Sequence, residues 1–192
     1  MRYLLFTLLI TLVFSCSSNE AKKDTSTSKS VQQHIPEGYN PEQKLNNLGI
    51  KLHGLSIPKA NYVHAVRTGN LIFLAGKGPS NEKGESITGK LGKDLGIEEG
   101  YAASRLVGVR QLSVLKAELG NLNMVKRIVK VKGMVNAIPE FTDHPKVING
   151  YSDLMVEVFG ERGKHARAAV GMGSLPGNIA VEIEMIIEVF ED

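Results

Sequence analysis

In HARAAVGMGSLPGNIAVEIE, residues 165–184, one guanidinium and two carboxylates fall among small and branched apolar residues. Arg167 sits between alanines, and Glu182 and Glu184 interrupt an otherwise aliphatic run. A guanidinium presents parallel N–H donors that match both oxygens of a carboxylate, so it fixes a bound acid's orientation as well as its charge. A nearby carboxylate can orient and deprotonate a water. The stretch reads as two strands about the turn SLPGN. Alternation puts Arg167, Ala169 and Gly171 on one face and Ala166, Ala168 and Val170 on the other, while Glu182 and Glu184 share a face of the return strand. A hairpin sets Arg167 opposite Glu182 or Glu184, in a register fixed by the turn. Two readings stay open on these residues alone. One is a cross-strand ion pair, of little energetic weight on an exposed face. The other is a ligand site, with Ala169 and Gly171 leaving an open floor beside the guanidinium.

Other chemistries find less support. The five histidines (His34, His53, His64, His144 and His165) show no metal-ligand spacing with one another or with carboxylates, so no metal centre is expected. GKLGKDLG and GMGSLPG are glycine-rich but match neither the phosphate-loop spacing nor the strand-to-helix dinucleotide fingerprint. VKRIVKVKG reads as a strand with one solvated face rather than as a basic strip for RNA. The net charge of only +3, 6% aromatic residues and the absence of tryptophan give nucleic-acid binding no basis in composition. No serine sits in a nucleophile elbow.

The elements that must hold Arg167 and the glutamates follow from the apolar pattern. The 192 residues allow one domain and a tail, and 42% hydrophobic residues supply a core. PEQKLNNLGI has Pro41 at a helix start and Gly49 as a stop. NYVHAVRTGNLIFLAGKGP gives two β-rich runs around TGN, and residues 79–97 are a glycine-rich loop. From Glu98 to Leu119 a helical stripe runs through Ala102, Leu106, Val109, Leu112, Leu115 and Leu119, closed by Gly120. RIVKVKGMVNA alternates Ile128, Lys130 and Lys132 against Val129 and Val131 as a half-wet strand. Pro145 opens a second helix with the stripe Val147, Ile148, Tyr151, Leu154, Met155, Val158 and Phe159. The order α-β-β-α-β-α-β-β defines an α+β domain, with helices packed on one face of a mixed sheet.

The N-terminus has another character. MRYLLFTLLITLVFSCSSNE carries Arg2, an apolar run from Tyr3 to Phe14, and then the single cysteine of the chain, Cys16. The run matches a signal-peptide h-region and is short of the roughly 20 residues of a spanning helix. VFSC resembles the bacterial lipobox, which implies cleavage before a lipid-modified Cys16. Residues 1–15 are therefore expected to be a lipoprotein signal peptide, and residues 16–40 a lipidated cysteine and polar tether. Residues 41–192 form the folded domain, held to a bacterial membrane at the cell envelope. One cysteine also excludes a disulfide within the chain.

The closing stretch resembles that of the Rid family, the reactive intermediate deaminases also called YjgF or L-PSP endoribonuclease-like. There an Arg-[Ser/Ala]-x-Val strand precedes Leu-Pro and a Val/Ile-Glu-Ile-Glu strand. The similarity runs through ANYVHAVRTGNLIFLAGKGP, GYAASRLVGVRQLSVLKAELGNLNMVKRIVKVKGMVNAIPEF and VINGYSDLMVEVFGERG, over residues 42–190. The wording is nearest a divergent subgroup with HAR-A-G--SLP and FTD-PKVINGYSDL. The resemblance implies a chorismate-mutase-like fold, a homotrimer with sites in clefts between subunits, and cofactor-independent hydrolysis of enamines and imines of small carboxylic acids to 2-keto acids and ammonia. It assigns the carboxylate grip to Arg167 and the acid to Glu182, both catalytic. Tyr62, Gly76 and Asn149 become substrate-binding positions, with Asn149 off its helix's apolar stripe and able to face a neighbouring subunit. A non-catalytic trimer that binds small carboxylates, or an endoribonuclease, are the alternative activities. The chain departs from the family pattern at Lys77 (usually Gln), Ala169 (often Cys) and Gly171 (usually larger), and in its lipoprotein signal. Lys77 adds positive charge near the pocket. A sheet covered on one side also leaves a bare face, expected to present Val181 and Ile183 or their neighbours to other subunits.

Overall fold

The computed structural model describes residues 35–191 apart from Ser56 and Lys59. The expected signal peptide, the expected lipidation site Cys16, His34 and most of the expected tether lie outside the described residues. Helix α1 (Pro41–Asn47) starts with proline at its first turn, where a missing N–H has no cost. The Asn40 side chain caps it by accepting from the Gln43 N–H at 3.0 Å. Strands β1 (Ala65–Thr68) and β2 (Leu71–Lys77) form the hairpin around TGN, with Thr68 opposite Leu71 and Gly69 at φ 57° in the turn. Then come α2 (Ile97–Leu119), β3 (Val125–Asn136), α3 (His144–Phe159), β4 (Ala166–Met172) and β5 (Val181–Val189). The fold is α+β, as the pattern implied.

The sheet runs β1-β2-β5-β3-β4, and only the β3–β4 pair is parallel. Helices α2 and α3 cover one face, where Ile72, Leu74, Val131, Val135, Val181, Ile183, Met185 and Ile187 are buried. Small residues let the layers approach. A methyl on Gly133 would strike Ile148, and one on Gly150 would strike the Tyr101 carbonyl, so α3 settles on both the sheet and α2. All seven residues of the α3 stripe are buried. In α2 the buried set is shifted. Leu112 and Leu115 are inside, but Ala102 is exposed and Leu106, Val109 and Leu119 are half-buried. Ala103, Val107 and Val114 take their place, together with Ser104, Gly108 and Gln111. This helix packs against the sheet and against α3 at once, so its buried surface is wider than one apolar stripe and includes small and polar residues.

Two further expectations are corrected. In β3 a register shift between Ile128 and Lys130 displaces Val129, so Ile128 joins Val131 on the core face. Strict alternation misses this because a bulge resets the two-residue period. The hairpin between β4 and β5 does not form, because β3 lies between them. Arg167 aligns with Val131 and beyond it with Met185, whereas Glu182 aligns with Met134 and Val170, and Glu184 with Lys132 and Ala168. The connecting turn is fastened to the end of β3 instead. The Asn136 N–H donates to the Ala180 carbonyl at 2.9 Å, and its side-chain amide donates to Asn178 Oδ1 at 2.9 Å. Glu184 pairs with Lys132 at 3.4 Å, not with Arg167. Val181 and Ile183 lie under the helices at 0% exposure. Their neighbours Glu182, Glu184, Ile186 and Glu188 face the uncovered side, beside Phe73 and Val66, which are 42% and 56% exposed.

Candidate functional site

The candidate residues fall into two groups, one around β2 and β5 and one at the outer strand β4. The first is built where β2 leaves its regular ladder with β5. The register shifts between Leu74 and Lys77. Gly76 stands at that irregularity, and a Cβ there would collide with the Glu182 carboxylate. Only glycine allows this approach. Gln111 of α2 holds the distorted segment by donating to the Ala75 carbonyl at 3.1 Å and the Ile183 carbonyl at 2.9 Å.

Lys77 follows and is 7% exposed. Its ammonium lies 2.9 Å from His64 Nδ1 and 5.9 Å from the centre of the Tyr62 ring. The Tyr62 and His64 rings meet edge to face at 6.4 Å. Arg110 of α2 anchors itself on the Gly78 carbonyl at 2.8 Å. Burial pulls the Lys77 pKa down, the Arg110 charge lowers it further, and Glu182 opposes both. Lys77, His64 and Arg110, with His53, Glu82 and Lys83, wall a cleft of about 530 Å³.

The second group lies where α3 crosses the outer strand β4. One amino group of Arg167, Nη1, donates to Asn149 Oδ1 at 2.9 Å and to Ser152 Oγ at 3.0 Å. Both acceptors are neutral. Among the described residues, Nε and the second amino group of Arg167 have no hydrogen-bond partner, and no carboxylate pairs with the guanidinium. His165 extends the chain. Its Nδ1 lies 2.7 Å from the Gly163 carbonyl, which can only accept, so Nδ1 carries the proton. Nε2, 3.1 Å from Ser152 Oγ, then accepts from the hydroxyl. Burial lowers the His165 pKa, the Gly163 bond partly offsets this, and the Arg167 charge adds to the lowering.

The structure thus brings Gly76 against Glu182, sets the Tyr62 ring 5.9 Å from the Lys77 ammonium, and joins Asn149 to Arg167. It does not join Arg167 to Glu182. The side chain at 167 shares its face with Val131 and Met185, and Glu182, three residues before Met185, projects from the other side. The open floor beside Arg167 is also absent. The His144 imidazole lies over Gly171, close enough that a Cβ there would meet Nε2, and Ala169 packs against the core. Asn149 is exposed, off the apolar stripe.

The sequence singled out neither Ser152 nor Arg110, and His165 reads there as a surface or hydrogen-bonded histidine, which it is. Ser152 stands one helical turn after Asn149, and His165 two strand positions before Arg167, so both shared a face with known candidates. Arg110 carried no such signal. Among the described residues, no three His, Cys, Asp or Glu side chains are grouped to hold a metal.

A mixed five-stranded sheet with two helices on one face, a glycine–glutamate contact at one end and an uncompensated arginine at the other defines a recognisable class. Residues 42–189 match the model of a family described as "YjgF/chorismate_mutase-like, putative endoribonuclease". The chain belongs to this YjgF/Rid family. It is 44% identical over 145 residues to Protein TCP17 of Trypanosoma cruzi, covering 75% of this chain and 91% of that protein. Among solved structures, Atu1372 of Agrobacterium tumefaciens is 41% identical with a TM-score of 0.71, over 78% of this chain and 93% of that one. A Shewanella oneidensis protein is 31% identical with a TM-score of 0.75, over 78% and 99% of the two chains.

Proposed function

We propose that this protein hydrolyses reactive enamines and imines of small carboxylic acids to 2-keto acids and ammonia. The observation that carries the reading is Arg167. Its guanidinium is held by two neutral oxygens and retains its charge and two donor groups for a ligand. A substrate carboxylate clamped there presents its C=N carbon in one orientation, which removes much of the entropic cost of attack. Glu182 supplies a base for the attacking water.

Because Arg167 and Glu182 leave opposite faces of one sheet, the complete site is composite. One copy contributes Tyr62, Gly76 and Glu182, and another contributes Asn149 and Arg167, in a cyclic homotrimer. The uncovered sheet face favours such an assembly, because Phe73, Val66 and Ile186 lie there in a single chain.

Ammonia release from freshly generated 2-aminoacrylate tests the activity, and complementation tests the composite site. Arg167→Ala and Glu182→Gln chains are each expected to be nearly inactive alone. Co-expression is expected to restore a fraction of wild-type turnover, since mixed trimers regain some sites with both groups. Inactive mixed trimers would overturn the composite site. Wild-type protein that binds small carboxylates but releases no ammonia would make it a binding trimer.

The lipid anchor belongs to the same reading. VFSC and the polar tether support a location at the cell envelope of a bacterium, on acyl chains attached to Cys16. Cys16→Ser is expected to leave the protein unprocessed or released from membranes. An unmodified wild-type N-terminus would overturn the anchor.

A further inference from the structure

The cleft around Lys77 contains an arrangement that water-based hydrolysis does not use. A lysine 7% exposed lies against an imidazole nitrogen at 2.9 Å and on the wall of a cleft of about 530 Å³. The groups facing it come from each surrounding element. They are Tyr62 and His64 ahead of β1, Arg110 from α2, Glu182 from β5, and His53, Glu82 and Lys83 around the cleft. None of them is a carboxylate hydrogen-bonded to the amine. Glu182 acts on Lys77 only through its charge, and Arg110 repels it.

A solvated surface lysine stays protonated and inert. A lysine removed from water and set beside another cation loses its proton readily and becomes a nucleophile toward carbonyl and imine carbons. Both conditions hold here. Burial is the larger cause of the lowered Lys77 pKa, and Arg110 is the second. His64 Nδ1 lies within hydrogen-bond distance of the amine. The bulge that brings Gly76 against Glu182 leaves Lys77 paired with Ile183, within reach of the Glu182 charge.

We propose that Lys77 is a covalent nucleophile, which attacks the C=N carbon of the bound imine and carries the substrate as a Schiff base. The inference rests on the imine-hydrolase reading above and names the route within it. The free amine adds its electron pair to the imine carbon, and the imine nitrogen takes a proton. The former imine nitrogen then departs as ammonia while Lys77 forms the new C=N bond. Water activated by Glu182 adds to this carbon, and the C–N bond to Lys77 breaks. The 2-keto acid leaves and the lysine is regenerated. One imine and one water yield one keto acid and one ammonia, with no change in oxidation state. In reverse, a 2-keto acid condenses with Lys77 and loses water.

That reverse step supplies the test. The full chain is incubated with pyruvate and sodium cyanoborohydride, and the digested protein is mapped by mass spectrometry. The expected result is one reduced pyruvate adduct on the peptide containing Lys77, well above any surface lysine, and its loss in Lys77→Met. Labelling is also expected to respond to Arg110→Gln. Without the neighbouring cation the Lys77 pKa rises, so labelling at pH 7 slows several-fold and recovers as pH is raised. This second variant keeps the lysine and serves if Lys77→Met fails to fold. No adduct on Lys77, labelling spread evenly over surface lysines, or a folded Lys77→Met with full ammonia release would each overturn the proposal. The last outcome would leave hydrolysis by water intact. An adduct on Lys77 in a protein that releases no ammonia from 2-aminoacrylate would support the nucleophile and overturn the hydrolase reading, so the two fail separately.

Discussion

Two arginines touch α3, and they are treated oppositely. Arg105 of α2 reaches across the outer helix seam to Glu157, with both amino groups engaged at 3.1 and 2.6 Å. Its charge is matched by a carboxylate, and Tyr101 and Asp153 bond beside it at 2.9 Å. Arg167 of β4 meets the same helix through Asn149 and Ser152, which orient it without neutralising it. A guanidinium used to join two elements is given its counter-ion in the fold. One given only neutral acceptors is oriented with its charge still available. This contrast fits Arg105 to architecture and Arg167 to the recognition role proposed for it, although both are half-buried residues hydrogen-bonded to one helix.

The largest effect expected from the contrast is on turnover. Arg167→Ala should reduce kcat/KM for enamine substrates by about 100-fold or more, the equivalent of about 3 kcal/mol of transition-state binding for a charged hydrogen-bond partner. Its melting temperature should change little, because no ion pair is lost. A destabilised but fully active Arg167→Ala protein, measured for melting and ammonia release on one preparation, would return Arg167 to the class of Arg105. Arg167→Lys keeps the charge but not the fork, and should retain only a small part of the activity.

Next in size is Glu182→Gln, which keeps the shape beside Gly76 and removes the proposed base. A fall in turnover of about 100-fold with little change in ligand affinity is expected. Equal losses in binding and turnover would assign Glu182 to substrate binding instead.

Arg105→Ala should show the converse pattern, with full activity and a slightly lower melting temperature. The pair is about one-third exposed, with side-chain exposures of 30% and 38%, so solvent screening limits its contribution. About 0.5 kcal/mol or less is expected, a shift of about 1–2 °C for a domain of this size. Loss of ammonia release in this variant would break the distinction.

The smallest effect concerns pH. Burial lowers the His165 pKa from its ordinary value of 6.5, so between that value and the lowered one the unfolded chain binds more protons than the folded one. The stability contributed by the neutral ring is fully present above about pH 6.5 and declines as pH falls toward the folded pKa. His165→Gln should flatten that part of the melting-temperature profile. Protonation would also turn Nε2 into a donor toward Ser152 Oγ and add a charge beside Arg167, so carboxylate affinity should change over the same interval in the wild type alone.

The legibility of these regions in the sequence depended on what kind of interaction made them. The α3 stripe from Val147 to Phe159 was readable because each of its buried residues is apolar and the period is unbroken. The α2 face was read less well, since Ser104, Gly108 and Gln111 are buried there for close approach and hydrogen bonding, which an apolar count does not register. Element order was readable, and so were the types of all five strands. Strand pairing was not. HARAAV and AVEIEM both look like partners of a hairpin, and only the docking of the SLPGN turn onto Asn136 reveals that β3 comes between them. For the same reason Gly76 and Glu182 were found as separate residues, while their contact, the two-faced split of the site and the Arg167–Ser152–His165 chain depend on tertiary register. Resemblance identified Arg167 and Glu182, but it was the pairing that put them on opposite sides of the sheet.

The position of β4 at the sheet margin has a consequence for motion. This strand is held by one ladder, to β3, and by side-chain bonds to α3, whereas β5 is clasped between β2 and β3. Local opening requires fewer bonds to break at the margin than at the centre, so amide hydrogens of β4 should exchange with solvent well before those of β5. Glu182 therefore stands on the stiff part of the molecule and Arg167 on its compliant part. A bound acid that bridged the two would suppress the opening of β4 in proportion to its affinity, and substrate occupancy would be readable as slowed exchange in a strand that lies far from the centre of the core.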